Sequence, residues 1–267
     1  MESLIVDQNF LRKQELKALA DTKPNNLFIL PDVALIEMCK SPQWRNTLCG
    51  SLSILSNYPG RTRVCISTGE AIMIELETQN SISDCLLPDR YIPIFEELLL
   101  ELFSENTGQM LEKIPLIQAS LASNYLNHKK NQNDFKSLIE ESKSIITSEK
   151  IKSLRNGSMS RKDKLDLIYN TAHLLLKEIL KENNFTSSNV EVFLKKKPMI
   201  LRYYYLKIWS CLDWLGKGGF ESLLPKDVTN EILDHEYILL ATFFNGILSK
   251  ENRVNKAYKD ISDILHP

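Results

Sequence analysis

Four acidic residues each stand beside an apolar run of the kind that forms a buried strand or helix. They are Asp7, Glu37, Asp234 and Glu251. If these runs are neighbours in one sheet, the four carboxylates can converge on one or two divalent cations, because Mg²⁺ and Mn²⁺ prefer oxygen ligands. Two such ions about 4 Å apart can activate water and stabilise the leaving oxygen in phosphodiester hydrolysis. The residue types therefore predict a metal-dependent hydrolytic site.

The elements that would position these acids have the pattern of alternating strands and helices. Short aliphatic runs at 4–6, 27–31 and 63–67 are typical of buried strands, and segments with helical spacing separate them. Strands that alternate with helices imply βαβ units and hence a parallel sheet. Ligand sites in such sheets form outside the carboxyl ends of the strands, which is where Asp7 stands.

After about residue 80 the pattern becomes helical throughout. Helical spacing covers 91–103, 109–127, 134–154, 160–183, 188–197, 198–215 and 230–244. A short strand at 247–249 and an amphipathic helix close the chain. The predicted fold class is α/β, a parallel sheet flanked by helices with a large all-α insertion. Residues 1–80 and 205–267 would form the α/β domain, and 81–204 the insertion.

The composition is that of an ordinary globular protein without a global charge bias. Lys and Arg number 33 against 34 Asp and Glu, so a nucleic-acid partner has to be met by a local basic patch. Five cysteines without Cys-x-x-Cys spacing favour reduced thiols over a disulfide framework. The start of the chain lacks a signal-peptide pattern, and its longest uncharged apolar stretch, 237–248, is too short to span a membrane. We therefore expect a cytoplasmic protein without membrane association.

The order of these motifs resembles the PIN-domain ribonuclease family. The stretches LIVDQNFL, LPDVALIEM and DHEYILLATFFNGILSKENRVNKAY are similar to its sequence of an Asp after strand one, a Glu on the helix after strand two, an Asp opening a late helix and a final acid after the last strand. The resemblance covers roughly residues 1–80 and 205–265. It implies a PIN-like sheet and an Mg²⁺- or Mn²⁺-dependent ribonuclease, a class that often serves as toxins or defence effectors.

The resemblance carries over to individual residues with one departure. It implies that Asp7, Glu37 and Asp234 are catalytic metal ligands. Glu251 would be the fourth ligand, although the family usually has Asp at that position. A longer side chain can still coordinate a metal, with looser geometry.

Each of the four acids also has a purely structural interpretation. Asp7 can cap the helix that follows, and Glu37 can lie on a solvated helix face. Asp234 and Glu251 can complement the dipoles of the helices that they open.

Further residues admit two interpretations. Asp213 and Glu231 either join the acidic cluster or play structural roles, for which Asp213 would pair with a lysine. The run 195–197, Lys-Lys-Lys, suits the end of a helix or the backbone of RNA. The segment RYYYLKIW at 202–209 suits an aromatic core helix or a surface on which bases stack.

Three classes of function follow. The leading one is an endoribonuclease with RNA as its substrate; an inhibitory or regulatory protein partner and a homo-oligomer are left open. The second is a catalytically inactive PIN-like scaffold whose helical block binds a partner protein. The third is a phosphatase with Asp7 as nucleophile, although such folds usually have a second Asp at the position of Asn9.

Overall fold

The computed structural model describes residues 1–104, 108–123, 126–218 and 224–266, and it divides into two compact units. The first unit comprises Met1–Thr68, Asp84–Asn127 and Glu236–Asn255. The second comprises Gly69–Ser83, His128–His235 and Lys256–Pro267. Both are therefore assembled from segments that are distant along the chain.

A four-stranded parallel sheet organises the described part of the first unit. Its strands are β1 (Ser3–Val6), β2 (Leu27–Leu30), β3 (Thr62–Val64) and β4 (Gly246–Leu248), in the order β3-β2-β1-β4. The central strand β1 pairs Ile5 with Ile29 on one side and with Ile247 on the other. Ile5 is fully buried, as expected for a strand covered on both faces. The predicted strands are confirmed, with ends that shift by a few residues.

Helices cover this sheet and connect its strands. They are α1 (Gln14–Thr22), α2 (Asp32–Cys39), α3 (Trp44–Leu52), α5 (Tyr91–Phe103), α6 (Gln109–Glu112) and α7 (Ile114–Ser123), with α4 (Thr68–Thr78) beginning in this unit and continuing in the second. Helix α2 packs against β2 and α3, and α5 packs against β3.

The second unit is helical in its described part. Its helices are α8 (His128–Ile145), α9 (Ser148–Arg155), α10 (Arg161–Glu182), α11 (Ser187–Lys195), α12 (Met199–Gly216), most of α13 (Pro225–Ala241) and most of α14 (Asn252–Leu265). Helix α12 packs against α8, α9 and α10. The side chains of Leu206, Ile208 and Leu212 on α12 are fully buried, so this helix forms the core of the unit.

Several predicted helix limits were wrong for identifiable reasons. The segment 109–127 is broken into α6 and α7. Pro115 lies in the first turn of α7, where its ring does not clash with the carbonyl group of a preceding helical turn, so a new helix can begin there. The segment 134–154 is divided because Thr147 accepts the Lys150 N–H and so caps α9. Helix α13 begins at Pro225 rather than at residue 230. Residues 124 and 125 of the predicted 109–127 helix lie outside the described ranges.

The structure confirms a mixed α/β fold with a parallel sheet flanked by helices. The PIN-like identity of the sheet and the limits 81–204 for the insertion stay predictions. No helix in the part of the chain that the structure describes is both long and apolar enough to cross a membrane.

A buried carboxylate holds the start of α12 within the second unit. Glu75, on α4, is fully buried and accepts the N–H groups of Met199 at 2.9 Å and Ile200 at 3.0 Å. Pro198 precedes this helix and makes no side-chain cap, so Glu75 satisfies donors that would otherwise be orphaned. Burial raises the pKa of Glu75, which the hydrogen bonds from Met199, Ile200 and Ile82 partly offset.

We expect Glu75→Ala to lower the free energy of unfolding by about 2–4 kcal/mol, because it leaves buried N–H groups unsatisfied and opens a cavity. Glu77→Ala, an exposed position on the same helix, is the matched control and should change it by less than about 0.5 kcal/mol. Urea denaturation measures both. An equal effect of the two substitutions would contradict the anchoring role.

Candidate active site

The site lies where the order of the strands reverses. From β1 the chain proceeds to β2 and β3 on one side of the sheet, and β4 pairs on the other side of β1. The carboxyl ends of β1 and β4 therefore border the topological switch point, the usual ligand crevice of a parallel sheet. Asp7 follows β1 there, and its N–H donates to the Leu248 carbonyl at 3.0 Å. The strand register thus fixes the backbone of Asp7 beside the end of β4.

The Asp7 carboxylate is buried and hydrogen-bonded. It is 5% exposed, and it accepts the Asn9 N–H at 3.2 Å and the Ser249 hydroxyl. Burial raises its pKa to about 6, the two hydrogen bonds oppose that rise, and the negative charges of Glu251 and Glu37 add to it. Helix α1 has Lys13 at its N-cap, so Asp7 does not serve as that helix's cap.

Asn9 ties the loop after β1 to the loop after β4. Its side-chain N–H donates to Glu251 Oε1 at 2.9 Å, and its oxygen accepts the Lys250 N–H at 3.3 Å. The Ser249 hydroxyl, which donates to Asp7, also accepts the Glu251 N–H at 3.1 Å. These bonds hold Asp7 and the exposed Glu251 in one network.

Glu37 is held by a buried tyrosine. The Tyr237 hydroxyl donates to Glu37 Oε2 at 2.7 Å, and Lys40 Nζ lies 3.5 Å from Oε1. Burial raises the pKa of Tyr237 well above its ordinary value, and the charges of Glu37 and Asp7 raise it further. The tyrosine therefore keeps its proton and remains a donor to Glu37.

A second buried pair follows β3 in the same unit. The Thr68 hydroxyl donates to Glu236, and both side chains are buried. Glu236, Tyr237 and Ser249 were not among the residues predicted for the site. Ser249 stands directly after an aliphatic run, as Asp7 does, and this position is a weak sequence signal. Glu236 and Tyr237 lie within an apolar helical segment, where the sequence contains no signal of a site.

The structure places the remaining predicted acids as follows. Asp234 does not open its helix, contrary to the prediction, because α13 begins at Pro225 and Asp234 lies well inside it, away from the positive end of the helix dipole. It lies on the part of α13 that belongs to the second unit, so its membership of the site stays a prediction. Asp213 forms an ion pair with Lys217 at 2.8 Å, which confirms the pairing with a lysine. Glu231 is buried and accepts a hydrogen bond from the Trp214 indole.

The carboxylates around Asp7 are oxygen donors, the ligand type that hard divalent cations prefer. Within the residues described, no three His, Cys, Asp or Glu side chains are grouped so that they could hold a metal ion. Mg²⁺, however, is usually bound by one or two carboxylates and keeps several waters. Asp7 with Glu37 or Glu251 would supply such oxygens. Burial is the main cause of the raised Asp7 pKa and the two other carboxylates add to it, so a bound cation would favour the ionised form of Asp7.

Comparisons of the chain with protein-family models, with curated proteins and with solved structures find no match.

We expect Asp7→Asn to stabilise the metal-free protein at about pH 8, because an amide does not ionise in the buried site. The pKa rises from 3.8 to about 6 on folding, so the carboxyl's contribution to stability is present below about pH 4 and lost as the pH passes about 6. The variant should therefore unfold with a free energy higher by about 1–3 kcal/mol at about pH 8, and the difference should shrink towards zero near pH 4.

Urea denaturation in a chelating buffer at both pH values measures this difference. Asp84→Asn, an exposed carboxylate of the same unit, is the control and should show no pH-dependent gain. An Asp7→Asn protein that is less stable than the wild type at the higher pH would contradict the raised pKa.

Proposed function

We propose that the protein is a Mg²⁺- or Mn²⁺-dependent endoribonuclease that hydrolyses phosphodiester bonds of RNA. The observation that carries the proposal is the buried Asp7 carboxylate at the switch point of a parallel sheet, with the charges of Glu37 and Glu251 beside it. RNA is the proposed substrate because the order of the motifs resembles that of PIN-domain ribonucleases. A role as a toxin or defence effector rests on the same resemblance.

The residues have distinct roles in this proposal. Asp7 would bind the cation directly, while Ser249 and Asn9 fix the orientation of its carboxylate. Tyr237 orients Glu37, and Asn9 orients Glu251 as further oxygen donors. When bound, the cation lowers the pKa of a water molecule and neutralises charge on the scissile phosphate.

Asp234 remains a proposed fourth ligand on the strength of the sequence pattern alone. It precedes Tyr237 by three residues on α13, which is close to one helical turn. Glu236, which the sequence pattern did not single out, is an alternative acid from the same helix and belongs to the first unit.

A catalytically inactive scaffold is the second candidate, and one observation favours it. Both Glu37 oxygens already have partners, Tyr237 on one and Lys40 at 3.5 Å from the other. A site whose second carboxylate is engaged in this way would bind a cation weakly. The protein would then act by binding a partner protein.

We expect Asp7→Asn to reduce cleavage of single-stranded RNA in Mn²⁺ by at least about 100-fold, since it removes a preorganised charge from the site. Asp84→Asn is the matched control, and Asp234→Asn tests the proposed fourth ligand in the same gel assay. Circular dichroism verifies that each variant is folded. Wild-type activity in Asp7→Asn would reject the assignment, and no cleavage by the wild type of any RNA offered would favour the scaffold.

Metal binding gives a readout that is independent of cleavage. Mn²⁺ at about 100 times its Kd should raise the free energy of unfolding of the wild type by about 2.7 kcal/mol and leave Asp7→Asn unchanged. Ser249→Ala, which frees the Asp7 carboxylate to rotate, should weaken Mn²⁺ binding by about 10-fold in calorimetry. Equal Mn²⁺ affinities for wild type and Asp7→Asn would show that the ion binds elsewhere.

A further inference from the structure

The second unit contains a pocket of about 450 Å³, and none of its lining residues is part of the proposed nuclease site. Residues of α10, α11, α12 and the end of α14 line it, all from the second unit. Its lining combines three aromatic rings with three lysines: Tyr169, His173, Tyr205, Lys177, Lys195 and Lys197. The volume lies within the range of small-ligand sites, about 300–1,000 Å³.

The three aromatic rings contact one another, and one of them is exposed. Tyr169 and His173 are four residues apart on α10, and their ring centroids are 4.2 Å apart. The ring of Tyr169 stacks with that of Tyr205, with centroids 6.0 Å apart and an interplanar angle of 25°. His173 Nε2 and the Tyr205 hydroxyl share a hydrogen bond of 2.8 Å. Tyr169 is nevertheless 45% exposed, so part of its surface remains accessible to a planar ligand.

The lysines give the pocket a positive charge. Lys177 and Lys195 are exposed, and neither pairs with a carboxylate among the residues described. The Lys197 ammonium donates to the Leu265 carbonyl, which fixes its charge at the pocket. The lining that the structure describes contains one acidic residue, Glu191, against three lysines, so positive charge is in excess at the pocket.

His173 adds a polar group without adding charge. Burial lowers its pKa, and the neighbouring Lys177 lowers it further, so the imidazole is neutral at pH 7. A neutral ring next to a stacked tyrosine offers a hydrogen-bonding edge as well as a surface for a flat ligand.

We propose that this pocket binds a nucleotide, with its base against Tyr169 and its phosphate at Lys177 and Lys195. Aromatic side chains beside cations are the combination by which proteins hold single-stranded nucleic acid, because bases stack and the backbone is anionic. The same chemistry accommodates a free mononucleotide and a single nucleotide of an RNA strand. The proposal is independent of the nuclease assignment, because none of these residues lies in the first unit.

The test measures nucleotide binding to the full chain in a chelating buffer, where metal-dependent cleavage is suppressed. Calorimetry with AMP and fluorescence anisotropy with a labelled oligoadenylate probe the two forms of the ligand. Lys177→Glu and Lys195→Glu should each weaken binding by at least about 10-fold, and both should reduce its salt dependence. Lys162→Glu, an exposed lysine of the same helix outside the pocket, should bind within about twofold of wild type.

A second pair of variants tests the stacking. Tyr169→Ala should weaken binding by at least about 5-fold, whereas Tyr169→Phe keeps the ring and should remain within about twofold. Oligoadenylate binding at least about 10-fold tighter than AMP identifies a strand as the ligand, and comparable affinities identify a free nucleotide.

Three results would overturn the proposal. They are no binding of either probe below about 1 mM, unchanged affinity in both lysine variants, and displacement by inorganic phosphate as effective as that by AMP. A wild type that binds nucleotide but, with Mn²⁺ present, cleaves none of the RNAs offered would favour the scaffold over the nuclease and leave this pocket assigned.

Discussion

The parallel pairing of β1 with β4 is the constraint on which the account depends. It places the Asp7 carboxylate against the loop after β4, where the charge is buried and other carboxylates are near. Two hydrogen bonds hold this group but do not compensate its burial, since its pKa remains raised to about 6. Burying this carboxyl lowers the free energy of unfolding at neutral pH. Functional sites often have such a cost, because the groups that they hold in place are less stable there than they would be in water.

The sheet was predictable because buried parallel strands are nearly continuous aliphatic runs, and LIV and LFIL are such runs. Most helices were predictable from their period. The limits of some helices were not predictable, because a local signal interrupts a continuous apolar spacing. Pro115 lies in the first turn of a new helix, and Thr147 caps another. The division into two units was also beyond sequence reasoning, because it depends on which distant segments pack together, as Glu75 shows by holding the start of α12.

The proximity of two of the predicted acids follows from their positions after strands. Asp7 follows β1 and Glu251 follows β4, and the structure joins them through Asn9, while their role as metal ligands stays a prediction. The partners that orient these acids were missed, because Ser249 and Tyr237 reach them only through the tertiary register. The aromatic segment 202–209 illustrates the same limit in the second unit. Its Tyr205 is buried, as the core interpretation predicted, yet it stacks with the exposed Tyr169 of another helix.

The most direct measurement of the central claim is the pKa of the Asp7 carboxyl, obtained from the pH dependence of its ¹³C chemical shift with and without Mg²⁺. The account predicts a pKa of about 6 in the metal-free protein. It also predicts a fall of at least about one unit when Mg²⁺ is added, because a bound cation favours the ionised form. A pKa near the ordinary value of 3.8 that Mg²⁺ leaves unchanged would contradict both the burial of the charge and the proposed cation site.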